Sequence, residues 1–256
     1  MVKIAIIDSG IGGLTVLKDL INLNCAVDFY YISDEENVPY GDKTQNFMYE
    51  RVCDMLEICH EEGIKHFVLA CNTLTAETID RVRDEYPEDQ FFGIEPYINY
   101  LNKGTFSPGK KLGLILTPAT FASKRFKLLK QLKDPSDIIS CYTPSNLALL
   151  IEDLKYKHFN EVRPFLEAEL EFLRQESLDF LLLGCTHYPI IGKFIEQYLE
   201  LKTINPHDKI ARHIVDSMGL DQSLTSTSSF MYNAKCSRDW KSVKLEDFYF
   251  LNQNFV

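Results

Sequence analysis

The chain has 256 residues and a net charge of -10, and 45% of its residues are hydrophobic and 25% charged. These values indicate a globular protein with one large or two modest domains. The acidic excess argues against binding to nucleic-acid phosphates, and no apolar run approaches the roughly 18 residues of a membrane span. Neither nucleic acid nor a membrane is therefore expected as a partner. The short apolar N-terminal run, which ends at Asp8, is unlike a secretory signal, so we expect a cytoplasmic protein.

The first half of the chain alternates between two kinds of apolar pattern. Short continuous apolar runs predict strands at 3–7, 27–32, 66–70 and 91–94. Apolar residues at helical spacing predict helices at 14–21, 47–61 and 74–85. This alternation of strands and helices predicts an α/β fold with a largely parallel sheet.

The second half repeats the alternation. Strands are predicted at 112–116, 138–142 and 180–183, and helices at 121–132, 147–155, 161–175, 191–198 and 208–218. The turn-forming residues at 103–110 predict a linker between the two series. A serine- and threonine-rich stretch at 223–229 then leads into an aromatic C-terminal tail.

Two of the seven cysteines stand at matching places in the two halves. Cys71 follows a predicted strand and Ala70, and Cys185 follows another predicted strand and Gly184; two polar residues come after each cysteine. No Cys-x-x-Cys pair occurs, which argues against a thiolate zinc site, and a disulfide framework belongs to small secreted domains. A single such segment is more often a strand end with a buried thiol. Its repetition favours two thiols aimed into one cleft, because parallel sheets bind ligands beyond the carboxyl ends of their strands.

Two thiols on opposite sides of a cleft suit the inversion of an α-carbon. One group must remove the proton from one face, and the other must deliver a proton to the opposite face. A thiol with its ordinary pKa of about 8.5 can take either role near neutral pH. His187 is a candidate proton partner for Cys185, although a histidine in a loop is more often structural. Asp8 could serve Cys71, hold a substrate ammonium group or cap the glycine turn that follows it.

The glycines after the first strand, Gly10, Gly12 and Gly13, only partly match a dinucleotide-binding loop. The full pattern needs a further glycine where Thr15 stands, so this signal is weak. Glycines at these positions can instead let the backbone turn tightly and approach a small ligand closely.

Six segments together carry a resemblance to a known family. They run in the family's order from residue 8 to about 190, and they read Asp8-Ser9-Gly10-Ile11-Gly12-Gly13, Val38-Pro39-Tyr40-Gly41, Ala70-Cys71-Asn72-Thr73, Gly93-Ile94-Glu95-Pro96, Thr117-Pro118-Ala119-Thr120 and Gly184-Cys185-Thr186-His187-Tyr188-Pro189. On these segments the chain resembles the glutamate racemases of the aspartate/glutamate racemase superfamily. The two cysteine segments in combination are the most specific part of the match.

The resemblance implies two pseudo-symmetric α/β domains with the active site in the cleft between them. Their expected bounds are 1–97 plus 207–256 for the first domain and 98–206 for the second. It also implies that Cys71 abstracts the α-proton of D-glutamate and Cys185 that of L-glutamate. Asp8 and His187 would assist these thiols, and Glu152 would contribute beside His187. The residues that would hold the amino and carboxylate groups of the substrate are Asp8, Ser9, Pro39, Tyr40, Gly41, Asn72, Thr73, Thr117, Thr120, Thr186 and His187.

The resemblance further implies a cofactor-independent isomerase without pyridoxal phosphate or metal. Glutamate would be its small-molecule substrate, D-glutamate for peptidoglycan synthesis its product, and a homodimer its assembly. The chain departs from the family at Asn205-Pro206-His207, where Asp-Ser-Gly is common, and at Leu74 and Phe126. Glu152 matches only loosely, and an exposed helical acid is the alternative interpretation.

Other functions remain open on the sequence alone. A sister racemase acting on aspartate or another small amino acid would show the same thiols. In a thiol redox enzyme the two cysteines are expected close together in sequence, whereas Cys71 and Cys185 are 114 positions apart. A non-catalytic relative that regulates DNA gyrase would not need both thiols.

Overall fold

The computed structural model of the chain describes residues 1–96, 109–221, 229–253 and 255. Most of the predicted linker 103–110 and of the serine- and threonine-rich stretch 223–229 lies outside these residues. The strands are β1 Val2–Asp8, β2 Val27–Ser33, β3 His66–Leu69, β4 Gln90–Gly93, β5 Leu112–Ile115, β6 Ile139–Tyr142, β7 Phe180–Leu183, β8 Lys202–Ile204, β9 Ser229–Asn233 and β10 Lys241–Lys244. The α-helices are α1 Gly13–Asn22, α2 Gln45–Glu61, α3 Asn72–Glu85, α4 Pro118–Ala122, α5 Lys124–Lys133, α6 Leu147–Glu152, α7 Phe159–Leu170, α8 Gly192–Leu199 and α9 His207–Met218.

The larger sheet has the strand order β10-β9-β2-β1-β3-β4. Its pairings are parallel except for that of β10 with β9. The central strand β1 is fully buried from Ile4 to Asp8, as expected for a strand covered on both faces. Because β1 and β3 run in the same direction, Asp8 and Cys71 lie at the same carboxyl edge of this sheet.

The smaller sheet has the order β6-β5-β7-β8, and its three pairings are all parallel. The strands β5 and β7 pair in register from Leu112 with Phe180 to Ile115 with Leu183. Thr117 and Cys185 therefore follow neighbouring strands at one edge. The predicted α/β fold, with two units built on mostly parallel sheets, is confirmed.

The C-terminal part of the chain returns to the larger sheet. The helix α9 packs against α1, and β9 adds to β2 in parallel register. One apolar core runs through both units and includes Ile6, Leu14, Ile115 and Leu181. Among the described residues, none of the helices has the length and apolar character needed to cross a membrane.

Three local features differ from the predicted elements. The predicted helix 121–132 is two helices, because Ser123 has an extended backbone (φ -60°, ψ 146°) and caps α5 by accepting from the Phe126 N–H. The predicted helices 147–155 and 161–175 end in 3-10 turns at Asp153–Lys155 and Glu171–Gln175. The strands β8, β9 and β10 were not predicted.

Candidate active site

Cys71 stands between β3 and α3 as the N-cap of that helix. Its sulfur accepts hydrogen bonds from the Leu74 N–H (3.5 Å) and the Ser9 hydroxyl (3.7 Å). Burial raises the pKa of the Cys71 thiol to about 12, and the nearby Asp8 adds to the rise while these two donors oppose it. The thiol is therefore protonated near neutral pH unless a positive charge approaches it.

Cys185 begins a chain of hydrogen-bonded side chains behind the end of β7. Its sulfur lies 3.7 Å from His187 Nδ1, and His187 Nε2 lies 2.6 Å from Glu152 Oε1. All three residues are buried, and Glu152 is only 4% exposed. The alternative interpretation of Glu152 as an exposed helical acid is therefore wrong.

The contact between His187 and Glu152 is a buried ion pair. Burial alone would lower the pKa of His187, but its hydrogen bonds to Cys185 and Glu152 raise this pKa well above its usual value. Burial opposes ionisation of Glu152 as well, yet His187 and Lys155 lower its pKa to about 2. A protonated His187 donates to Glu152 from one ring nitrogen and faces the Cys185 sulfur with the other.

Asp8 is fully buried at the carboxyl end of β1. Its carboxylate accepts from the Gly10 N–H (2.9 Å) and from the Thr186 hydroxyl (3.2 Å). Burial raises the pKa of Asp8 to about 6, although the positive charge of His187 opposes the shift. Asp8 thus contacts the residue beside Cys185 by hydrogen bonding, and its charge acts on Cys71 through space.

One cavity of about 270 Å³ connects the two cysteines. A volume near the lower end of the range for small-molecule sites, about 300–1,000 Å³, suits a ligand of amino-acid size. Ten of the predicted site residues line it: Ser9, Pro39, Tyr40, Gly41, Cys71, Asn72, Thr73, Thr117, Cys185 and His187. The other four are absent from its lining: Asp8, Thr120, Glu152 and Thr186.

Polar groups converge on the cavity from both units. The hydroxyl oxygens of Thr73, Thr117 and Thr120 lie 2.8–3.1 Å from one another, so Thr120 supports two residues that line the cavity. The Asn72 amide donates to the Ile94 carbonyl (3.3 Å), while its buried Oδ1 has no hydrogen-bond partner within the described part of the chain. An unsatisfied buried oxygen of this kind is an available acceptor for a ligand N–H.

Tyr40 is held in the cavity wall by a second buried group. Its hydroxyl donates to Asp34 Oδ2 (2.7 Å), and Arg51 contacts both oxygens of that carboxylate (2.8 and 3.0 Å). These bonds fix the loop that contributes Pro39, Tyr40 and Gly41.

Residues after β6 also line the cavity and were not predicted. They are Pro144, Ser145, Asn146, Ala148 and Leu149, and the lining includes Asp42 and Pro118 as well. Their place beyond the carboxyl end of β6 was an available signal, since the same rule identified Cys71 and Cys185.

The glycines after β1 permit close packing against the side chains of Glu152, Thr186 and His187. A Cβ at Gly10 would overlap Glu152 Oε1, and a Cβ at Gly12 would overlap Thr186 Oγ1 and His187 Nδ1. The Ile11 N–H also donates to Glu152 Oε1 at 2.7 Å. The backbone therefore approaches protein side chains closely, whereas the sequence predicted a close approach to a small ligand.

Comparison with known proteins identifies relatives, although no family model matches the chain. A glutamate racemase of Leptospira borgpetersenii serovar Hardjo-bovis (strain JB197) is 31% identical over 228 residues, covering 89% of this chain and 86% of that protein. The crystal structure of glutamate racemase isoform RacE1 from Bacillus anthracis superposes with a TM-score of 0.73 at 25% identity, covering 91% of this chain and 87% of that one. The crystal structure of a glutamate racemase from Francisella tularensis subsp. tularensis SCHU S4 in complex with D-glutamate superposes with a TM-score of 0.70 at 25% identity. It covers 91% of this chain and 87% of that one. With this identity over nearly the whole length, the chain belongs to the glutamate racemase family.

Proposed function

We propose that this protein interconverts L- and D-glutamate, with Cys71 and Cys185 as its two acid/base groups. The observation that carries the proposal is that the two thiols follow strands of different sheets and line the same cavity. A molecule between them can be reached from two sides, which inversion of an α-carbon requires.

The reaction needs one thiolate and one thiol at a time. The thiolate removes the α-proton and becomes a thiol, and the electron pair left on the α-carbon takes a proton from the other cysteine on the opposite face. In the D-to-L direction Cys71 is the base, and in the L-to-D direction Cys185 is. The two sulfurs exchange protonation states in each turnover, so no external oxidant or reductant is involved.

The surroundings of the thiols support different ways of forming each thiolate. For Cys185, the imidazolium of His187 provides the compensating positive charge. Cys71 has the hydroxyl of Ser9 and the Leu74 N–H but needs a further positive charge, which the ammonium group of the substrate can supply. Asp8 lies close enough to act on Cys71 by its charge and is assigned as its partner.

The polar lining supports the binding of the amino and carboxylate groups. We assign the free Oδ1 of Asn72 as an acceptor for the ammonium, and the hydroxyls of Thr73 and Thr117 as donors to carboxylate oxygens. The residues proposed to complete the binding set, directly or by support from behind, are Asp8, Ser9, Pro39, Tyr40, Gly41, Thr120, Thr186 and His187.

The larger assembly is part of the proposal. The two sheets and the return of β9 to β2 support domains of 1–97 plus 207–256 and of 98–206. We further propose a homodimer that acts in the cytoplasm and supplies D-glutamate for peptidoglycan; the bacterial relatives support the latter assignment. Light scattering on the purified protein measures the oligomeric state.

The activity is tested by circular dichroism on a panel of enantiomers. The protein without added cofactor should convert both L- and D-glutamate to the racemate. A pocket that distinguishes one methylene changes kcat/KM by roughly 10- to 200-fold, so aspartate should react more slowly by that order. A preference for aspartate would assign the chain to a sister activity, and no racemisation of any amino acid would refute the proposal.

A further inference from the structure

A line of charged side chains continues beyond the Cys185–His187–Glu152 series. Lys155 Nζ lies 2.9 Å from Glu152 Oε2, an ion pair by distance although its angles are not those of a hydrogen bond. The same ammonium group donates to Glu35 Oε2 at 2.9 Å. Three side chains, those of His187, Glu152 and Lys155, therefore connect the thiol of Cys185 to Glu35.

This line crosses from one unit to the other. Lys155 ends the 3-10 turn after α6, and Glu35 follows β2 of the larger sheet. Glu35 is itself held in place, because its other oxygen accepts from the Tyr232 hydroxyl (2.5 Å) and its N–H donates to the Ala234 carbonyl (3.3 Å). Lys155 and Glu35 are only 13% and 15% exposed, so solvent screens their charges incompletely.

We propose that Lys155 and Glu35 are positioning residues that set the orientation and proton affinity of the His187–Glu152 pair, and through it the acid–base balance of Cys185. The inference deepens the proposed function and rests on it. Neither residue lines the cavity between the cysteines, so both act through their neighbours. Lys155 holds Glu152 on the side opposite His187, which fixes the carboxylate between two cations.

The signs of the two charges make the inference specific. Besides Lys155 and Glu35, the titratable groups facing the His187–Glu152 pair are Asp8, Tyr31, Cys185 and Tyr232. Loss of the positive charge of Lys155 makes a proton on the pair harder to remove. Loss of the negative charge of Glu35 has the opposite effect. If the two residues had a purely structural role, the two substitutions would not shift the proton affinity of the pair in opposite directions.

The test compares the pH dependence of kcat/KM for glutamate in Lys155→Met, Glu35→Gln and the wild type. A charge within about 4–6 Å shifts a pKa by one unit or more. One limb of the kcat/KM profile should report the titration of the His187–Glu152 pair. We therefore expect the midpoint of this limb to shift to higher pH by about 1 unit in Lys155→Met and to lower pH in Glu35→Gln. Displacement of His187 should also lower kcat in Lys155→Met by about 10- to 100-fold. Lys155→Arg, which keeps the charge, should restore most of the wild-type profile.

Lys157→Met is the matched control. Lys155 and Lys157 both line a second cavity, separate from the one between the cysteines, but Lys157 pairs with Asp153 (2.8 Å), away from His187. Its pH profile should match that of the wild type. A shift in Lys157→Met as large as that in Lys155→Met would overturn the inference, because the effect would then be a general one of surface charge.

NMR titration of the His187 imidazole separates this inference from the proposed function. Its pKa should rise in Lys155→Met and fall in Glu35→Gln, whether or not glutamate turns over. If these shifts occur in a protein that does not racemise glutamate, the proposed function fails and the charge coupling stands. If the wild type racemises glutamate and neither variant moves the titration or the pH profile, the inference fails alone.

Discussion

Cys71 and Cys185 follow matching strands but have different neighbours. Cys71 accepts hydrogen bonds from neutral donors and lies near the carboxylate of Asp8, whereas Cys185 faces His187, which is paired with Glu152. The negative charge of Asp8 disfavours a thiolate at Cys71, while His187 places a ring nitrogen of its imidazolium 3.7 Å from the Cys185 sulfur. The two directions of reaction therefore depend on different ionisable groups, even though the sequence repeats the cysteine segment almost symmetrically.

The pH response of Asp8 follows from its burial. Because its pKa is raised to about 6, Asp8 is ionised above this pH and protonated below it. As the proposed partner of Cys71, Asp8 must be ionised to accept the proton of that thiol, so kcat/KM for D-glutamate should fall as the pH decreases through about 6. Asp8→Asn should not show this acidic limb of the pH profile, and its kcat/KM for D-glutamate at neutral pH should be lower by about 10²-fold or more. An unchanged acidic limb in Asp8→Asn would assign that limb to another group.

Among the elements, the buried strands were the most predictable. The predicted strand 180–183 has the bounds of β7, and 66–70 differs from β3 by one residue, because strands covered on both faces are continuous apolar runs. The short strand β8 begins with Lys202, β10 has a lysine at each end, and both lack such a run. Their formation depends on neighbouring strands, which local sequence does not encode.

The site was predictable where reactive side chains follow strands. Cys71 and Cys185 were found in this way, whereas Thr117 was implied by the family resemblance. The segment after β6 was missed because it contains no cysteine or titratable side chain that would mark it, although Ser145 and Asn146 are polar. The burial of Glu152 could not be read from local sequence, since it depends on the Ile11 N–H, 141 positions away, and on His187.

The glycine loop before α1 should be intolerant of any side chain at Gly10. In Gly10→Ala the new methyl group overlaps Glu152 Oε1, so Glu152 must move away from His187 and from the Ile11 N–H. We expect kcat to fall by about 10²-fold, as for a displacement of roughly 1 Å in a catalytic group. Kinetic assays measure the fall in kcat, and thermal unfolding of the same preparation measures the stability of the variant.

Gly192→Ala is the matched control for this loop. A Cβ at Gly192, the first residue of α8, meets no atom closer than 3.8 Å. This variant should keep wild-type activity and, because alanine favours helix over glycine, gain up to about 1 kcal/mol of stability. Equal activities of Gly10→Ala and Gly192→Ala would show that the packing of the loop against Glu152 is unimportant.

At the scale of the whole molecule, polar contacts connect the two units at several places. Arg125 of α5 pairs with Asp80 (2.7 Å) and Glu95 (2.5 Å) of the other unit. Lys155 also pairs with Glu35, and the Thr15 hydroxyl lies 3.1 Å from the Thr186 carbonyl. These contacts hold the two units in the arrangement that places both thiols on one cavity.

His207 makes the stability of the molecule depend on pH. It belongs to Asn205-Pro206-His207, where the sequence departs from the family pattern. It is buried at the start of α9, its Nδ1 lies 3.0 Å from the Thr15 hydroxyl, and burial lowers its pKa to about 3. Between pH 3 and its usual pKa of about 6.5, the unfolded state binds a proton that the folded state excludes. The contribution of His207 to stability is thus complete above about pH 6.5 and is lost as the pH falls toward 3.

Replacement of His207 by a residue that does not titrate should remove this dependence. Between pH 3 and 6.5, the free energy of unfolding of His207→Gln should depend on pH less steeply than that of the wild type, by up to about 1.4 kcal/mol per pH unit. Denaturant unfolding at several pH values measures the slope. His213→Gln, at an exposed position of the same helix, should leave the slope unchanged. Equal slopes in His207→Gln and the wild type would contradict the assignment.

The central claim is that Cys71 and Cys185 act on one bound amino acid from opposite sides, and α-hydrogen exchange in D₂O followed by NMR tests it most directly. The wild type should introduce deuterium into both enantiomers of glutamate while racemising them. Cys71→Ala and Cys185→Ala should each lose racemisation by about 10²- to 10⁴-fold or more. Any remaining exchange should be confined to L-glutamate in Cys71→Ala and to D-glutamate in Cys185→Ala. Cys53→Ala, which removes a half-buried thiol of α2 outside the cavity, should behave as the wild type. Near-normal racemisation in either of the first two variants would contradict the claim.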